Sequence, residues 1–360
     1  MLMSKMTDQL TELINQKKQL ATNLNVKGVS ASENETLNTL VPKVLSIVGG
    51  SGDVKLGSKQ ITEDGDYYAY EDNLDGYSNI NVSVLGNSNF ISSFIGTGNS
   101  IKMSIKMLGD VPDYAFQNTT KIGEIDLTKS KRVGNSGLYY VNGLTKLIAP
   151  NPMTFGSYAL YNNSNVVGDV TISEEQMEIG DNTFRGCAKL NINQLHDNIT
   201  KIGQYAFYNC QLNDCTSLPK SLTSIGTYAF YQNTKMKIIE IPQHVKSIPN
   251  YCFAHCQLES IKIYDECTFV GQYAFRYNSK LEKVELGKGI KTLYSYCFAN
   301  CASLTSITIH ATTPPTLVST AFNNDSSLSE IRVPASVLET YKSASNWSNY
   351  ADIMVGIEGE

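Results

Sequence analysis

The sequence predicts a repeat solenoid that is mainly β with short helical turns, preceded by a short helical segment and a small β module. Two observations predict the solenoid. A segment of the type IGQYAFYNC recurs ten times, and its aromatic or leucine anchors lie 22 to 24 residues apart. A second signature, Leu-x-x-Ile-x-Ile, follows several anchors, as in LESIKI from residue 258. A period this constant is typical of repeats that stack to share one continuous core.

The anchors define the columns of the repeat. They are the large apolar residues Phe116, Leu138, Leu160, Phe184, Phe207, Phe230, Phe253, Phe275, Phe298 and Phe322. The alternation in Leu-x-x-Ile-x-Ile has the period of a half-buried strand, so we expect its apolar residues to point inward and its x positions outward. Each repeat is therefore predicted as a strand, a tight Gly turn, one helical turn carrying the anchor, and the next strand.

This repeat resembles the BspA-like leucine-rich repeat family, whose consensus reads IGxxAFxxCxxLxxIxIPxxVxxI. The resemblance covers about residues 111–334. It implies a leucine-rich repeat solenoid, a scaffold used by many binding proteins, and it implies no particular ligand.

All eight cysteines fall on columns of the repeat. Pairs such as Cys252 and Cys256 have the spacing of half a metal site or of a redox pair. Their regular positions in the repeat indicate instead that the cysteines are small buried residues with a structural role. We therefore expect no metal and no cofactor. Neighbours in one column would point the same way, which disfavours disulfides. Four lie three residues after an anchor, where other copies have Asn163, Asn233 or Asn278: they are Cys187, Cys210, Cys256 and Cys301.

No constellation of catalytic residues accompanies the repeats. The four histidines occupy unlike positions, and the chain has no nucleophile elbow, phosphate-binding loop or dinucleotide motif. The acidic segment 62–77, TEDGDYYAYEDNLDGY, suggests a calcium loop, but it lacks the oxygen spacing of an EF-hand, and two turns around a strand explain it better. We therefore expect the protein not to be an enzyme.

Two sets of residues are candidates for binding. Tyrosines recur two residues before and one residue after the anchors. This pattern indicates either stacking between repeats or an aromatic strip that binds a glycan or protein. The set is represented by Tyr205, Tyr208, Tyr228 and Tyr231. The outward strand positions carry charges of both signs, which suits a protein or glycan ligand or a plain solvated face. This set is represented by Lys262, Lys283, Glu285, Glu330 and Arg332.

The net charge of −5 argues against a nucleic acid as partner. No apolar run is long enough for membrane insertion.

The sequence divides into four parts. Residues 1–48 have apolar residues at heptad spacing, which predicts either a coiled coil or a helix packed on the following segment. Residues 49–86 are predicted as a linker and a small β module, 87–334 as about ten repeats, and 335–360 as a C-terminal cap closed by Trp347.

A second resemblance concerns the N-terminal parts. The segments 20–44 and 60–84, LATNLNVKGVSASENETLNTLVPKV and QITEDGDYYAYEDNLDGYSNINVSV, look like segments near the start of phage and prophage tail proteins. The resemblance implies a virion protein of the tail that contacts other tail or baseplate proteins and whose repeats bind a host surface. Because phage fibres and spikes are commonly trimers, it also implies a homotrimer held together at its N-terminus. It agrees with the absence of a visible signal peptide. The alternative is a bacterial cell-surface adhesin, for which we would expect a signal peptide and an anchor.

Overall fold

The computed structural model describes the strand at 79–84, residues 102–119, 122–193, 195–210, 212, 215–238 and 240–359, and Lys18. Over these residues the chain winds into a parallel β-solenoid of about eleven turns with little helix, so the predicted fold class is confirmed. Apart from Lys18, the predicted helical segment 1–48 lies outside the described residues. So do the linker at 49–53 and the acidic segment 62–77.

Most turns of the solenoid contribute one longer and one shorter strand. In chain order the strands are β1 (Asn79–Val84), β2 (Lys102–Met107), β3 (Ile122–Asp126), β4 (Arg132–Val133), β5 (Lys146–Ile148), β6 (Thr154–Phe155), β7 (Gly168–Val170), β8 (Glu178–Ile179), β9 (Leu190–Ile192), β10 (Lys201–Ile202), β11 (Ser224–Ile225), β12 (Ser260–Ile263), β13 (Phe269–Val270), β14 (Lys283–Leu286), β15 (Thr292–Leu293), β16 (Ser306–Ile309), β17 (Thr316–Leu317), β18 (Glu330–Pro334) and β19 (Met354–Ile357). A 3-10 helix (Ala335–Val337), helix α1 (Leu338–Ser343) and a second 3-10 helix (Trp347–Ile353) lie between β18 and β19.

The two kinds of strand form separate ladders. The longer strands pair in the orders β1-β2-β3-β5, β7-β9 and β12-β14-β16-β18-β19. The shorter strands pair as β4-β6, β8-β10-β11 and β13-β15-β17. The registers within both ladders are parallel, as between β14 and β16 and between β13 and β15. Side chains at one position of the repeat therefore stack directly above each other along the solenoid.

The loop that follows each short strand carries the anchor in its centre. Instead of one continuous helical turn, it is a series of overlapping β-turns with a left-handed residue two positions before and two after the anchor, as at Tyr228 (φ 58°) and Gln232 (φ 62°). The N–H of Ala229 closes one turn onto the Gly226 carbonyl, whereas the N–H of Tyr228 donates to Asn250 in the next turn of the solenoid. Every second N–H group of the loop donates to a carbonyl in the next turn of the solenoid. These groups therefore cannot donate the hydrogen bonds of a continuous helix.

The anchors fill the core as predicted. Every anchor from Phe116 to Phe298 is fully buried, and neighbouring phenylalanine rings from Phe184 to Phe298 stack with centroids 5.2–5.6 Å apart. The inward strand positions pack against them, and in β14 Val284 is buried while Lys283 is exposed. Burying one such Phe stabilises the fold by about 1.5–3 kcal/mol.

The column three residues after the anchor serves the backbone of the loops. Asn278 donates from Nδ2 to the carbonyls of Phe253 and Phe275 at 2.8 and 2.7 Å, and its Oδ1 accepts the N–H of Leu258 at 2.9 Å. Cys256 takes the same place in its own repeat and donates from Sγ to the Phe230 carbonyl at 3.0 Å. The cysteines of this column are therefore hydrogen-bond donors as well as small apolar residues.

Trp347 closes the last turn, as expected for a cap. Its ring is fully buried against Tyr341 and Phe322, and its Nε1 donates to the Pro315 carbonyl at 2.7 Å. The hydroxyl of Tyr341, also fully buried, donates to the Ala311 carbonyl at 2.8 Å. Both polar tips are satisfied, so the aromatic residues bury their rings without an orphaned donor.

Candidate ligand-binding surfaces

The outward face of the last five long strands forms a polar groove with a volume of about 830 Å³. Strand register places the side chains in two rows, because Lys283 pairs with Ser306 and Glu285 pairs with Thr308 in the next strand. The groove contains all five of the outward strand residues predicted for binding, although 70 residues separate the first from the last: Lys262, Lys283, Glu285, Glu330 and Arg332.

Most charges in the polar groove are already paired. Lys262 Nζ lies 2.7 Å from Glu285 Oε1, and this hydrogen bond raises the pKa of Lys262 and lowers the pKa of Glu285. His310 Nε2 approaches the same carboxylate oxygen at 3.3 Å. Arg332 donates from Nε and Nη2 to the two carboxylate oxygens of Glu330 at 2.9 and 3.2 Å.

Two charges of the polar groove have no ion-pair partner among the described residues: the ammonium of Lys283 and the carboxylate of Asp352. Hydroxyl side chains of Ser260, Ser306 and Thr308 lie between the charged groups. This arrangement offers hydrogen bonds and two open charges to a polar ligand. Sequence reasoning missed Asp352, because it lies in the C-terminal 3-10 helix and joins the groove only when β19 pairs with β18.

The tyrosines form a second surface, built from the loops that carry the anchors. Their rings stack from one loop to the next, with centroids 4.4–5.1 Å apart and interplanar angles of at most 19°. We call this stack the tyrosine ladder: Tyr205, Tyr228, Tyr251, Tyr273 and Tyr296. The predicted stacking between repeats is thus present. None of these tyrosines lines the polar groove.

Tyr208 and Tyr231 stack beside the ladder at 4.9 Å. The four predicted tyrosines therefore form one patch, in which Tyr208 and Tyr231 also contact Tyr228. Burial and the neighbouring phenols raise the pKa of Tyr228 to about 12, and burial also raises the pKa of Tyr231. Both hydroxyls accordingly keep their protons at neutral pH.

Two arginines that sequence reasoning missed lie over tyrosine rings of this surface. Arg185 lies over the rings of Tyr205 and Tyr208, with Cζ 4.5 and 5.0 Å from the ring centroids. Arg276 lies over Tyr273 and Tyr277, at 5.2 and 4.5 Å. Both arginines lie one residue after an anchor, at a position where several other repeats have Tyr. This departure from the Tyr pattern is the sequence feature that could have identified them.

The cysteines and histidines do not form a reactive centre. All eight cysteines are buried and unbridged, and burial raises the pKa of Cys187, Cys215 and Cys256 to about 12. The described part of the chain contains no group of three or more His, Cys, Asp or Glu side chains that could hold a metal ion. Within the same residues, no helix has the length and apolar character that a membrane span requires.

Several solved structures are similar to this chain. A leucine rich cell surface protein from Faecalibacterium prausnitzii has 22% identity and a TM-score of 0.47, and the match covers 84% of this chain and 89% of that one. A leucine-rich repeat protein from Eubacterium ventriosum has 19% identity and a TM-score of 0.42, covering 74% and 89%. The pneumococcal vaccine antigen PcpA has 18% identity and a TM-score of 0.35, covering 74% and 71%. At these values the similarities carry no inference about what this chain binds.

No curated protein matches the chain. A family model does match it, and its description is BspA type leucine rich repeat region. The match comprises six copies, in the overlapping segments 79–167, 154–282 and 246–355. These segments contain all ten anchors and every strand from β1 to β18, which is well over half of the chain. The chain therefore belongs to the BspA type leucine rich repeat family.

Proposed function

We propose that this protein is an adhesion-type binding protein without enzymatic activity, and that its polar groove binds a protein or glycan on a cell surface. The observation that carries the proposal is the groove itself. It gathers charged and hydroxyl side chains from four strands of a parallel sheet and from the C-terminal 3-10 helix, and it leaves Lys283 and Asp352 without ion-pair partners among the described residues. Polar, preorganised surfaces of this kind bind without large rearrangement.

The mixed charges favour a ligand that is itself polar and carries both donors and acceptors. Lys262 pairs with Glu285, and Arg332 pairs with Glu330. Each pair restricts its two side chains, so less entropy is lost when a ligand binds them. The open ammonium of Lys283 would pair with an acidic group of the ligand, and the carboxylate of Asp352 with a basic or hydroxyl group.

We further propose that the N-terminal modules attach the protein to a phage or prophage tail and that the repeats bind the host. The support is the resemblance of segments 20–44 and 60–84 to tail proteins. The alternative is a bacterial cell-surface adhesin with the same repeats. The neighbouring genes separate the two: tail, baseplate and lysis genes support the first proposal, and their absence contradicts it.

Binding through the groove is tested with fluorescently labelled full-length protein on a panel of bacterial cells. We expect the Lys283→Ala/Arg332→Ala variant to bind cells at least ten-fold more weakly than the unchanged protein. The matched control is Lys246→Ala/Lys291→Ala, which removes two exposed lysines beside the short-strand ladder. Equal binding by both variants would contradict a role for the groove.

We also propose that residues 3–24 assemble the protein into a homotrimer. The heptad pattern supports a coiled coil, and the resemblance to tail proteins, whose fibres are commonly trimers, supports three copies. Three copies would present three repeat arrays together, and such multivalency raises weak affinities by roughly 10²–10⁴. Light scattering on the full chain is expected to give three times the chain mass of 39.6 kDa. A monomer would contradict the trimer and favour a helix packed within its own chain.

A further inference from the structure

The tyrosine ladder exposes ring edges and hydroxyl groups. In the ladder each inner ring is covered on both faces by its neighbours, with Tyr228 lying 4.8 Å from Tyr205 and 4.4 Å from Tyr251. The rings are half-buried, so what reaches solvent is their outer edge. The faces needed to stack on a sugar or a base are already occupied within the ladder. The edge of an aromatic ring carries the positive part of its quadrupole, and each phenol adds an O–H donor.

The loops of the ladder lack negative charge. These five loops, 203–209, 226–232, 249–255, 271–277 and 294–300, contain no Asp and no Glu. Arg276 is their only residue with a permanent charge. The carboxylate of Asp181, in the loop of Arg185, accepts the N–H of Gln204 at 2.8 Å. Burial and the nearby Arg276 lower the pKa of His255, so this histidine is neutral at pH 7. A surface with donors and without carboxylates is complementary to an anion.

The two arginines that lie over tyrosines of the ladder, Arg185 and Arg276, are not engaged by carboxylates. Among the described residues neither Arg185 nor Arg276 forms an ion pair. Arg185 donates to Asn182 Oδ1 at 3.2 Å, and Arg276 donates to the Tyr277 hydroxyl at 3.1 Å. The Nε of Arg276 is buried and has no hydrogen-bond partner. Guanidinium groups held flat against aromatic rings retain donors for carboxylate or phosphate oxygens.

From these observations we propose that the tyrosine ladder, with Arg185 and Arg276, is a second binding surface, and that its ligand is an anionic polysaccharide. This inference goes beyond the groove function proposed above and does not depend on it. The ladder extends over five turns of the solenoid, a length of about 19 Å at strand spacing. It presents a phenol hydroxyl at each step, and the hydroxyl of Tyr228 is hydrogen-bonded to that of Tyr251. A polymer with a repeating carboxylate or phosphate matches a row of repeating donors better than a single small anion does.

The ligand chemistry can be tested with two polymers that share one backbone. Immobilised carboxymethyl-dextran carries carboxylates, and dextran is its neutral counterpart. We expect the full-length protein to bind carboxymethyl-dextran at least ten-fold more tightly than dextran at physiological salt. Equal binding to the two polymers would overturn the proposal. Equal affinity for a single-stranded oligothymidylate would overturn the assignment of the ligand to the polysaccharides.

The location of the site is tested with variants on the two surfaces. Arg185→Ala/Arg276→Ala should weaken binding to carboxymethyl-dextran at least ten-fold. Tyr228→Phe/Tyr251→Phe keeps the stacked rings and the fold but removes two hydroxyl donors, and it should weaken binding about three-fold. The charge-matched control Lys106→Ala/Lys146→Ala removes two exposed lysines from β2 and β5 and should bind as the unchanged protein does. Loss of binding in the groove variant Lys283→Ala/Arg332→Ala, with binding kept in Arg185→Ala/Arg276→Ala, would move the anion site to the groove and overturn the proposal.

Discussion

The backbone N–H of Cys301 donates a 2.7 Å hydrogen bond to Oδ1 of Asp325. Asp325 lies three residues after its anchor, in the column where Asn278 donates to two loop carbonyls and accepts one N–H. A carboxylate can reproduce the accepted bond and not the donated ones. Oδ2 of Asp325 is buried without a partner, and burial raises the pKa of this carboxyl to about 7.

We expect Asp325 to make the stability of the C-terminal turns depend on pH. Between the ordinary pKa of 3.8 and the folded value of about 7, the folded chain binds a proton that the unfolded chain has released. Stability therefore falls as pH rises through this window and is level above it. The groups that face the carboxyl are the thiols of Cys297 and Cys301 and the phenol of Tyr350.

Asp325→Asn should restore the donor and remove the titration. At pH 8 we expect the free energy of unfolding to rise by about 1–3 kcal/mol, a value discounted for partial solvent exposure. At pH 4 the difference should be small. Urea unfolding at a series of pH values measures both effects. Asp265→Asn is the matched control, because Asp265 accepts the N–H of Lys288 at an exposed site. An unchanged pH dependence in Asp325→Asn would contradict the assignment.

The anchor column should determine stability, whereas the outward strand positions should not. Phe253 is fully buried between Phe230 and Phe275, at 5.2 and 5.4 Å. Phe253→Ala should lower the free energy of unfolding by about 3–5 kcal/mol through the cavity that it leaves. Lys283→Ala should change it by less than about 0.5 kcal/mol. Comparable losses in the two variants, measured by urea unfolding, would mean that the inward and outward positions are exchanged.

All eight cysteines should react as free thiols only after unfolding. Each is buried, and burial raises the pKa of thiols such as Cys187 to about 12, so the reactive thiolate is scarce in the folded protein. A colorimetric thiol titration without reductant should find eight thiols in guanidinium chloride and almost none under native conditions within minutes. Fewer than eight after unfolding would indicate a disulfide or a bound metal.

Gly289 should not tolerate a side chain. A Cβ at this position would clash with the carbonyl oxygen of Asp265 in the preceding turn of the solenoid, so the backbone would have to move. Gly289→Ala is expected to lower the free energy of unfolding by about 1–3 kcal/mol. The neighbouring Lys288→Ala serves as control, since Lys288 is exposed and its contact to Asp265 uses only the backbone N–H. A stable Gly289→Ala variant would show that the two turns are less closely packed.

The amino-acid sequence by itself determined the repeat, its anchors and the direction of its strand side chains. These follow from periodicity, because the stack repeats one local pattern and each column has one environment. For this reason Phe253 could be predicted to be buried and Lys283 to be exposed. The burial of Trp347 also followed, since the last turn needs an apolar cover.

Tertiary structure decided which outward residues meet. Asp352 joins Lys283 in one groove only through the pairing of β19 with β18, and that pairing depends on how helix α1 and the 3-10 helices fold back. It also decided that the anchor loops use reverse turns with left-handed residues, because their N–H groups bind the next turn of the solenoid. The unsatisfied oxygen of Asp325 and the position of Arg276 over its tyrosines are consequences of stacking between turns. Such relationships arise from contacts between residues about one repeat apart, and no local pattern specifies them.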